Sequence, residues 1–183
     1  MTVEPSLVVL RLNHRPIRDE RVTTHLCMVA RAFGADGVLI ADTKADEQVK
    51  KMKELSLKWG GGFWVRDSVS SMEYIEQWHK QGGLVVHLTM YGEPLETALS
   101  EIYYQFHVKS RPLMVAVGAS KVRPEVYRAS DFNVSVRSQP HSEISALAVF
   151  IDKLMPFHNE LSTRSQTLQL RARLREKGGI SPR

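Results

Sequence analysis

Short apolar runs alternate with amphipathic segments along this chain, a pattern typical of α/β proteins. Runs such as LVVHL and LMVAV lack strict alternation and so indicate strands covered on both faces of a mostly parallel sheet. The predicted strands are residues 7–12, 37–42, 63–65, 84–88, 113–117 and 132–136. The predicted helices are residues 19–33, 45–59, 71–81, 95–108 and 142–155. The pattern predicts a single α/β domain with a mostly parallel sheet flanked by helices.

The first predicted helix carries two ordered stripes of side chains. Its apolar positions recur at helical spacing and predict the inward face: Val22, Leu26, Val29 and Phe33. A second stripe follows the same spacing: Arg18, Arg21, His25 and Met28. Gly34 supplies the C-terminal stop. Because one face suffices for packing, the second stripe is either a solvated surface or a site.

Composition narrows the class of protein. The 183 residues are 43% hydrophobic, enough for one sizeable core, and the net charge of +5 with a pI near 9.4 favours an anionic partner such as RNA. The single cysteine, Cys27, excludes an intramolecular disulfide framework. No apolar run approaches the roughly 20 residues needed to span a bilayer, and the start lacks the pattern of a secretion signal. These features predict a soluble, cytoplasmic protein.

The composition shifts after Pro156. Residues 160–177 are polar, with sparse leucines interleaved with Arg171, Arg173 and Arg175. We interpret residues 1–155 as the folded domain and residues 156–183 as a basic tail that is helical or partly disordered, and we favour a solvated helix over a dedicated RNA-binding arm.

Three loops follow late strands and predict where a ligand binds, since the crevice of an open parallel sheet lies at the carboxyl ends of its strands. The loops are residues 89–92, 118–122 and 137–143. Gly118 fits either close backbone approach to a ligand or an ordinary turn. Ser142 is a plausible N-cap for the last helix, whose first backbone N–H groups are free for a ligand.

Other chemistry receives less support from the sequence. The histidines His79, His87, His107 and His158 lack paired ligand spacing, so we predict no metal site. A nucleotide- or flavin-binding α/β protein is an alternative, but neither G-x-G-x-x-G nor G-x-x-x-x-G-K-[ST] is present. His14, interpreted as an exposed loop residue, and His141 are secondary candidates for a direct role.

Four separated segments, spread in order over residues 7–155, carry a resemblance to a known family. They are HRPIRDERVTTHLCMVARAFGADGVL, HLTMYG, VGASKVRPEVYRASDFNVSV and SQPHSEISALAVFIDKL. The chain resembles the archaeal tRNA cytidine-56 2′-O-methyltransferases, a branch of the SPOUT superfamily. The resemblance does not cover the tail.

This resemblance implies a SPOUT-like fold with a C-terminal deep trefoil knot, an exception to the usual unknotted topology. It also implies S-adenosylmethionine as cofactor, tRNA as substrate and an active site formed across a homodimer interface. The positions matching the family's cofactor loops are Leu88, Gly118, Ala119, Ser120, Lys121, Val122, Val136, Arg137, Ser138, Gln139, Pro140, His141, Ser142 and Glu143.

The implied chemistry gives the second stripe of the first helix a purpose. A ribose 2′-hydroxyl is a poor nucleophile until its proton is removed or its developing charge is stabilised. We expect Arg21 to be the principal activating or orienting cation, with Arg18 on phosphate and His25 in support. Alternatively, these residues only anchor tRNA phosphates or pair with Asp19 and Glu20.

Two positions depart from the family pattern. Ser120 stands where related sequences usually have Glu, and Asn13 stands where Gly is common, which predicts a less strained turn. Neither change removes an obvious catalytic group. A non-catalytic RNA-binding module that retains the fold, or a methyltransferase with another RNA target, remains an alternative.

Overall fold

The computed structural model describes residues 6–118 and 120–155. Its strands are β1 (Leu7–Leu12), β2 (Gly37–Ala41), β3 (Trp64–Val69), β4 (Leu84–Pro94), β5 (Leu113–Gly118) and β6 (Phe132–Ser135). Its helices are α1 (Glu20–Ala32), α2 (Asp46–Trp59), α3 (Ser71–Lys80), α4 (Leu95–Tyr103), α5 (Pro124–Ala129) and α6 (Glu143–Leu154), and a π-helical turn, Tyr104–Val108, continues α4.

The strands form a six-stranded sheet in the order β3-β2-β1-β5-β4-β6, and every neighbouring pair is parallel. The apolar strand residues alternate between two cores. One core packs the sheet against α1, α2, α4 and α6. The other packs it against α3 and α5. The predicted architecture, one domain with a parallel sheet flanked by helices, is confirmed.

The inward face predicted for α1 is only partly right. Leu26 is buried, but Val22 and Val29 are half-buried and Phe33, the C-cap residue, is 37% exposed. The buried stripe is rotated relative to the prediction and consists of Thr23, Leu26, Cys27 and Ala30. The small side chains Thr23, Cys27 and Ala30 let α1 pack closely against the sheet and against α6 beside it. Gly34 does follow the helix, with a φ of 102°.

The structure adds elements that the pattern of hydrophobic residues did not reveal. Helix α5 was not predicted, and β3 runs four residues beyond the predicted end at position 65. Strand β4 continues past Leu88, and its register with β6 shifts between Leu88 and Glu93, so the segment 89–92 bulges at the carboxyl edge. The predictions for the tail and for Ala119 concern residues outside those that the structure describes. None of the described helices combines the length and the apolar character that crossing a bilayer requires.

Candidate active site

A cleft of about 990 Å³ opens at the carboxyl ends of β4, β5 and β6. This volume lies at the upper end of the usual range for small-molecule sites, roughly 300–1,000 Å³. Its walls come from the three loops that the sequence singled out, together with α5 and the first turns of α6. The fold therefore brings together segments that are separated in sequence by at least one strand and one helix.

Most of the predicted cofactor-binding residues lie around this one cleft. Those that line it are Leu88, Gly118, Ser120, Lys121, Val122, Val136, Arg137, Gln139, Pro140, His141 and Glu143. Ser138 and Ser142 belong to the same loop but are not part of the lining. A Cβ on Gly118 would collide with the Val122 side chain, so a larger residue at this position would force the loop to repack.

The start of α6 is fixed by a cap and by an ion pair. Ser142 is the N-cap, as predicted, and its Oγ accepts a hydrogen bond from the backbone N–H of Ile144 at 3.2 Å. Next to it, Glu143 accepts a hydrogen bond from Nη2 of Arg11 at 3.0 Å. Arg11 is fully buried at the end of β1, whereas the Glu143 side chain is 26% exposed and reaches the cleft. The ion pair therefore links the central strand to the wall of the cleft.

The turn after β1 touches the same loops, and two predictions about it are wrong. Asn13 has a φ of 55°, so its turn does use the left-handed region that favours glycine. Its Nδ2 donates to the carbonyl oxygen of Lys121 at 2.9 Å and thereby ties the turn to the cleft. His14 is not an exposed loop residue but is 5% exposed, with Nδ1 at 2.8 Å from Oγ1 of Thr23. Burial lowers the pKa of His14, and Arg11 lowers it further.

Asp19 organises the segment between this turn and α1. Its carboxylate accepts hydrogen bonds from the backbone N–H, Nε and Nη2 of Arg15, each at 2.9 Å. These hydrogen bonds lower the pKa of Asp19 to about 2. Between the two residues, the amide of Arg18 donates to the carbonyl of Pro16, forming a γ-turn around Ile17, whose φ is 69°. Hydrogen bonds within residues 15–19 therefore hold this loop in its conformation.

The predicted catalytic residues lie outside the cleft of their own chain. Arg18, Arg21 and His25 are exposed on the loop and outer face of α1, and none of them lines the cleft. Asp19 is engaged by Arg15, and within the described residues no ion pair involves Arg18 or Arg21. These side chains are therefore available to a partner molecule.

Sequence reasoning missed several residues that line the cleft, among them His87, Tyr127 and Arg128. His87 lies inside an apolar strand, and Tyr127 and Arg128 belong to the unpredicted α5. Thr89 Oγ1 lies 3.0 Å from the hydroxyl oxygen of Tyr127, which ties α5 to the end of β4. Across the described ranges, no group of three or more His, Cys, Asp or Glu side chains is arranged to hold a metal ion.

Solved structures that share this fold include RNA methyltransferases. The TrmH/SpoU tRNA modifying enzyme of A. aeolicus superposes with a TM-score of 0.61 at 13% identity and covers 97% of this chain and 91% of its own. AviRb of Streptomyces viridochromogenes, a SpoU methyltransferase solved in complex with the cofactor AdoMet, gives 0.58 at 16% identity, over 87% of this chain and 60% of its own. The fold is that of the SpoU/TrmH methyltransferases.

Sequence comparison narrows this class. The profile of the family described as tRNA ribose 2′-O-methyltransferase, aTrm56, matches residues 59–177 and so extends beyond residue 155. A tRNA (cytidine(56)-2′-O)-methyltransferase of Methanocella arvoryzae is 52% identical over 149 residues, covering 81% of this chain and 82% of its own. One from Methanopyrus kandleri is 43% identical over 178 residues, 97% of each chain. The chain belongs to the aTrm56 family of tRNA ribose 2′-O-methyltransferases, and the resemblance seen in its motifs is confirmed.

Proposed function

We propose that this protein transfers a methyl group from S-adenosylmethionine to the ribose 2′-hydroxyl of cytidine 56 in tRNA. The observation that carries this proposal is the convergence of the segments 89–92, 118–122 and 137–143 on one cleft in a chain of this family. The target nucleotide is the one named for the Methanocella and Methanopyrus relatives.

The residues of the cleft fit such a cofactor. Leu88, Val136 and Ala146 offer apolar contact for a purine ring. Glu143 offers a carboxylate for a cationic amine, while Lys121 and Arg128 offer cations for a carboxylate. When bound, the cofactor supplies an electrophilic methyl group on a sulfonium.

The residues proposed for catalysis lie outside this cleft. In the transfer, the bond between carbon and sulfur breaks as the bond between carbon and the 2′-oxygen forms, and the hydroxyl proton leaves to a base or to solvent. We propose that Arg21 stabilises the developing charge on the oxygen, that Arg18 binds an adjacent phosphate and that His25 supports them. Their position on α1 and the loop before it, outside the cleft of their own chain, supports an active site shared between two copies.

We infer that the protein is a homodimer joined through α1 and α6. Both helices lie on the same face of the sheet and pack against each other, and each exposes an apolar side chain: Met28 is 45% exposed and Val149 is 41% exposed. Met28 continues the stripe of Arg18, Arg21 and His25, so a partner on this face would receive all four side chains. Met28→Glu and Val149→Glu should shift the mass measured by light scattering towards the monomer, whereas Glu76→Lys on exposed α3 should not.

We also propose that β6 and α6 thread through a preceding loop to form a trefoil knot. Two features support this proposal. Strand β6 follows β5 in sequence but pairs with β4, on the side of β4 that faces away from β5. Helix α6 begins in the wall of the cleft that the earlier loops form. An experimental structure with S-adenosylhomocysteine bound tests the path of the chain.

One assay tests the proposed function. The protein is incubated with labelled S-adenosylmethionine and unmodified tRNA, and the methylated nucleotide is mapped. Methylation of the 2′-oxygen of cytidine 56 is the expected result. Binding of tRNA without transfer at saturating cofactor would point to a non-catalytic RNA-binding module instead, and a product at another nucleotide would contradict the target.

Arg21→Ala separates catalysis from anchoring. We expect a large loss of methyl transfer on tRNA that is fully bound, with the affinity for tRNA measured in parallel. Intact transfer would contradict the catalytic role. Weaker binding with unchanged transfer on bound tRNA would make Arg21 an anchor for phosphate.

A further inference from the structure

His87 is a buried imidazole in the wall of the cleft that none of the roles above uses. It follows Val86 in β4, directly before Leu88, and is 1% exposed. The ring of Tyr127 packs edge-on against it, with centroids 4.6 Å apart. His87 is nevertheless among the side chains that line the cleft. A polar ring so deeply placed raises the question of what its two nitrogens bind.

The hydrogen bonds of Asn133 determine which nitrogen of His87 carries the proton. Nδ2 of Asn133 donates to the carbonyl oxygen of Tyr127 at 3.0 Å, which orients the amide. Oδ1 of Asn133 then lies 2.9 Å from Nδ1 of His87 and can only accept, so Nδ1 carries the hydrogen. Burial lowers the pKa of His87, so the ring is neutral near pH 7. Nε2 is therefore a bare acceptor.

This acceptor is free and reaches the cleft. Within the described residues, Nε2 of His87 has no protein hydrogen-bond partner. It is also not one of the unpartnered nitrogens sealed inside the protein, which among these residues belong to Arg11 and Arg31. A buried acceptor without a donor is costly unless a ligand or water supplies one. The geometry therefore leaves Nε2 open to a donor from the contents of the cleft.

We propose that Nε2 of His87 accepts a hydrogen bond from an amino group of S-adenosylmethionine. The inference rests on the proposed function, since it assigns a contact to the cofactor of that reaction. The cofactor has two amino groups, the exocyclic amine of adenine and the α-ammonium, and both are N–H donors. The ring of His87 is 1% exposed and lies in the wall of the cleft in which the proposed cofactor binds.

Two substitutions distinguish the role of Nδ1 of His87 from that of Nε2. In His87→Asn the side-chain amide sits near the position of Nδ1 and keeps the donor to Asn133, but nothing replaces Nε2. In His87→Gln the side-chain oxygen reaches the position of Nε2 and keeps the acceptor. By calorimetry with S-adenosylhomocysteine, we expect His87→Asn to bind about fivefold to tenfold more weakly than wild type. We expect His87→Gln to stay within about threefold of wild type.

Ligand analogues identify the donor without depending on the variants alone. S-inosylhomocysteine lacks the adenine amine, and the desamino analogue lacks the α-amino group. The analogue without the recognised group should bind wild type more weakly than S-adenosylhomocysteine does. It should bind wild type and His87→Asn equally, because the contact is already absent.

Several results would overturn the inference. Equal affinity of wild type and His87→Asn for S-adenosylhomocysteine would show that Nε2 of His87 makes no contact with the cofactor. An equal loss for S-adenosylhomocysteine and both analogues, with a lower unfolding temperature, would show that His87 only holds β6 and α5 in place. Normal cofactor affinity with reduced preference for cytidine over uridine at position 56 would assign Nε2 to the target base. Failure of wild type to bind S-adenosylhomocysteine at all would instead contradict the proposed function.

Discussion

Arg11 is a fully buried cation that forms one ion pair, with Glu143, in the part of the chain that the structure describes. Only Nη2 is bonded, to Glu143, whereas Nε and Nη1 are buried without a partner in the described structure. Coulombic interaction with Arg11 also lowers the pKa of His14 and of Asp19. Because a buried charge is expensive, the two members of the pair should not be equally important.

Glu143→Gln should therefore cost more stability than Arg11→Met. The first change leaves a buried guanidinium without its counter-charge, and we expect the free energy of unfolding to fall by roughly 2–4 kcal/mol. The second leaves a carboxylate that is 26% exposed and can be hydrated, with an expected loss of about 1 kcal/mol or less. Urea unfolding of both variants measures the difference. A larger loss for Arg11→Met would contradict the argument.

The pKa of Asp19 predicts a pH dependence with a definite sign. Its value in the folded protein, about 2, lies below the ordinary 3.8 because Arg15 donates to the carboxylate. The stabilisation is therefore present above about pH 4 and is lost as the pH falls towards 2. Asp19→Asn should lower the unfolding free energy by roughly 1 kcal/mol at pH 7. The difference from wild type should shrink as the pH falls from about 4 to about 2, and a constant difference would contradict the assignment.

At the scale of elements, continuous apolar runs identify the strands because both faces of the sheet are covered. Helix α5 escapes prediction because six residues are too few to show a helical period. The end of β3 escapes because Arg66 and Asp67 interrupt its apolar pattern. The inward face of α1 was misplaced because small residues such as Thr23, Cys27 and Ala30 do not stand out as core positions.

The residues of the cleft were likewise only partly predictable from the sequence. Its loops were predictable because they follow strands of a parallel sheet, whose carboxyl ends meet at one edge. His87 and Tyr127 were not, since one lies within a strand and the other on an unpredicted helix. Their roles depend on contacts across β4, β6 and α5, which no local pattern in the sequence encodes.

The junction between β4 and β6 depends on Gly92. A Cβ at this position would collide with the backbone carbonyl of Asn133, and a backbone group in a sheet cannot easily move. Gly92→Ala should reduce the unfolding free energy by roughly 1–3 kcal/mol. It should also weaken S-adenosylhomocysteine binding, because Asn133 orients His87. Gly62→Ala, where a Cβ meets open space, is the matched control and should stay within about 0.5 kcal/mol of wild type. Equal losses of unfolding free energy in Gly92→Ala and Gly62→Ala would show that the structure accommodates a Cβ at position 92.

At the scale of the whole molecule, the positive charge is unevenly distributed along the chain. Residues 156–183 contain six of the 25 Lys and Arg residues but only two of the 20 Asp and Glu residues. This segment therefore holds four of the five net positive charges. We propose that the folded methyltransferase domain, residues 1–155, supplies the chemistry and that this basic segment contributes attraction to the tRNA backbone.

Attraction of this kind is measurable through salt dependence, because each phosphate contact releases counterions. Replacing Arg171, Arg173 and Arg175 together by Gln in the full chain should weaken tRNA binding. It should also flatten the plot of log Kd against log salt by about one unit or more. Cofactor affinity should not change, since the cleft is built from residues 87–146. The control replaces Lys50, Lys51 and Lys53 of α2 by Gln, which removes the same charge from a solvated helix face. If the control flattens the slope as much as the arginine variant does, the effect belongs to net charge alone and not to the position of the segment.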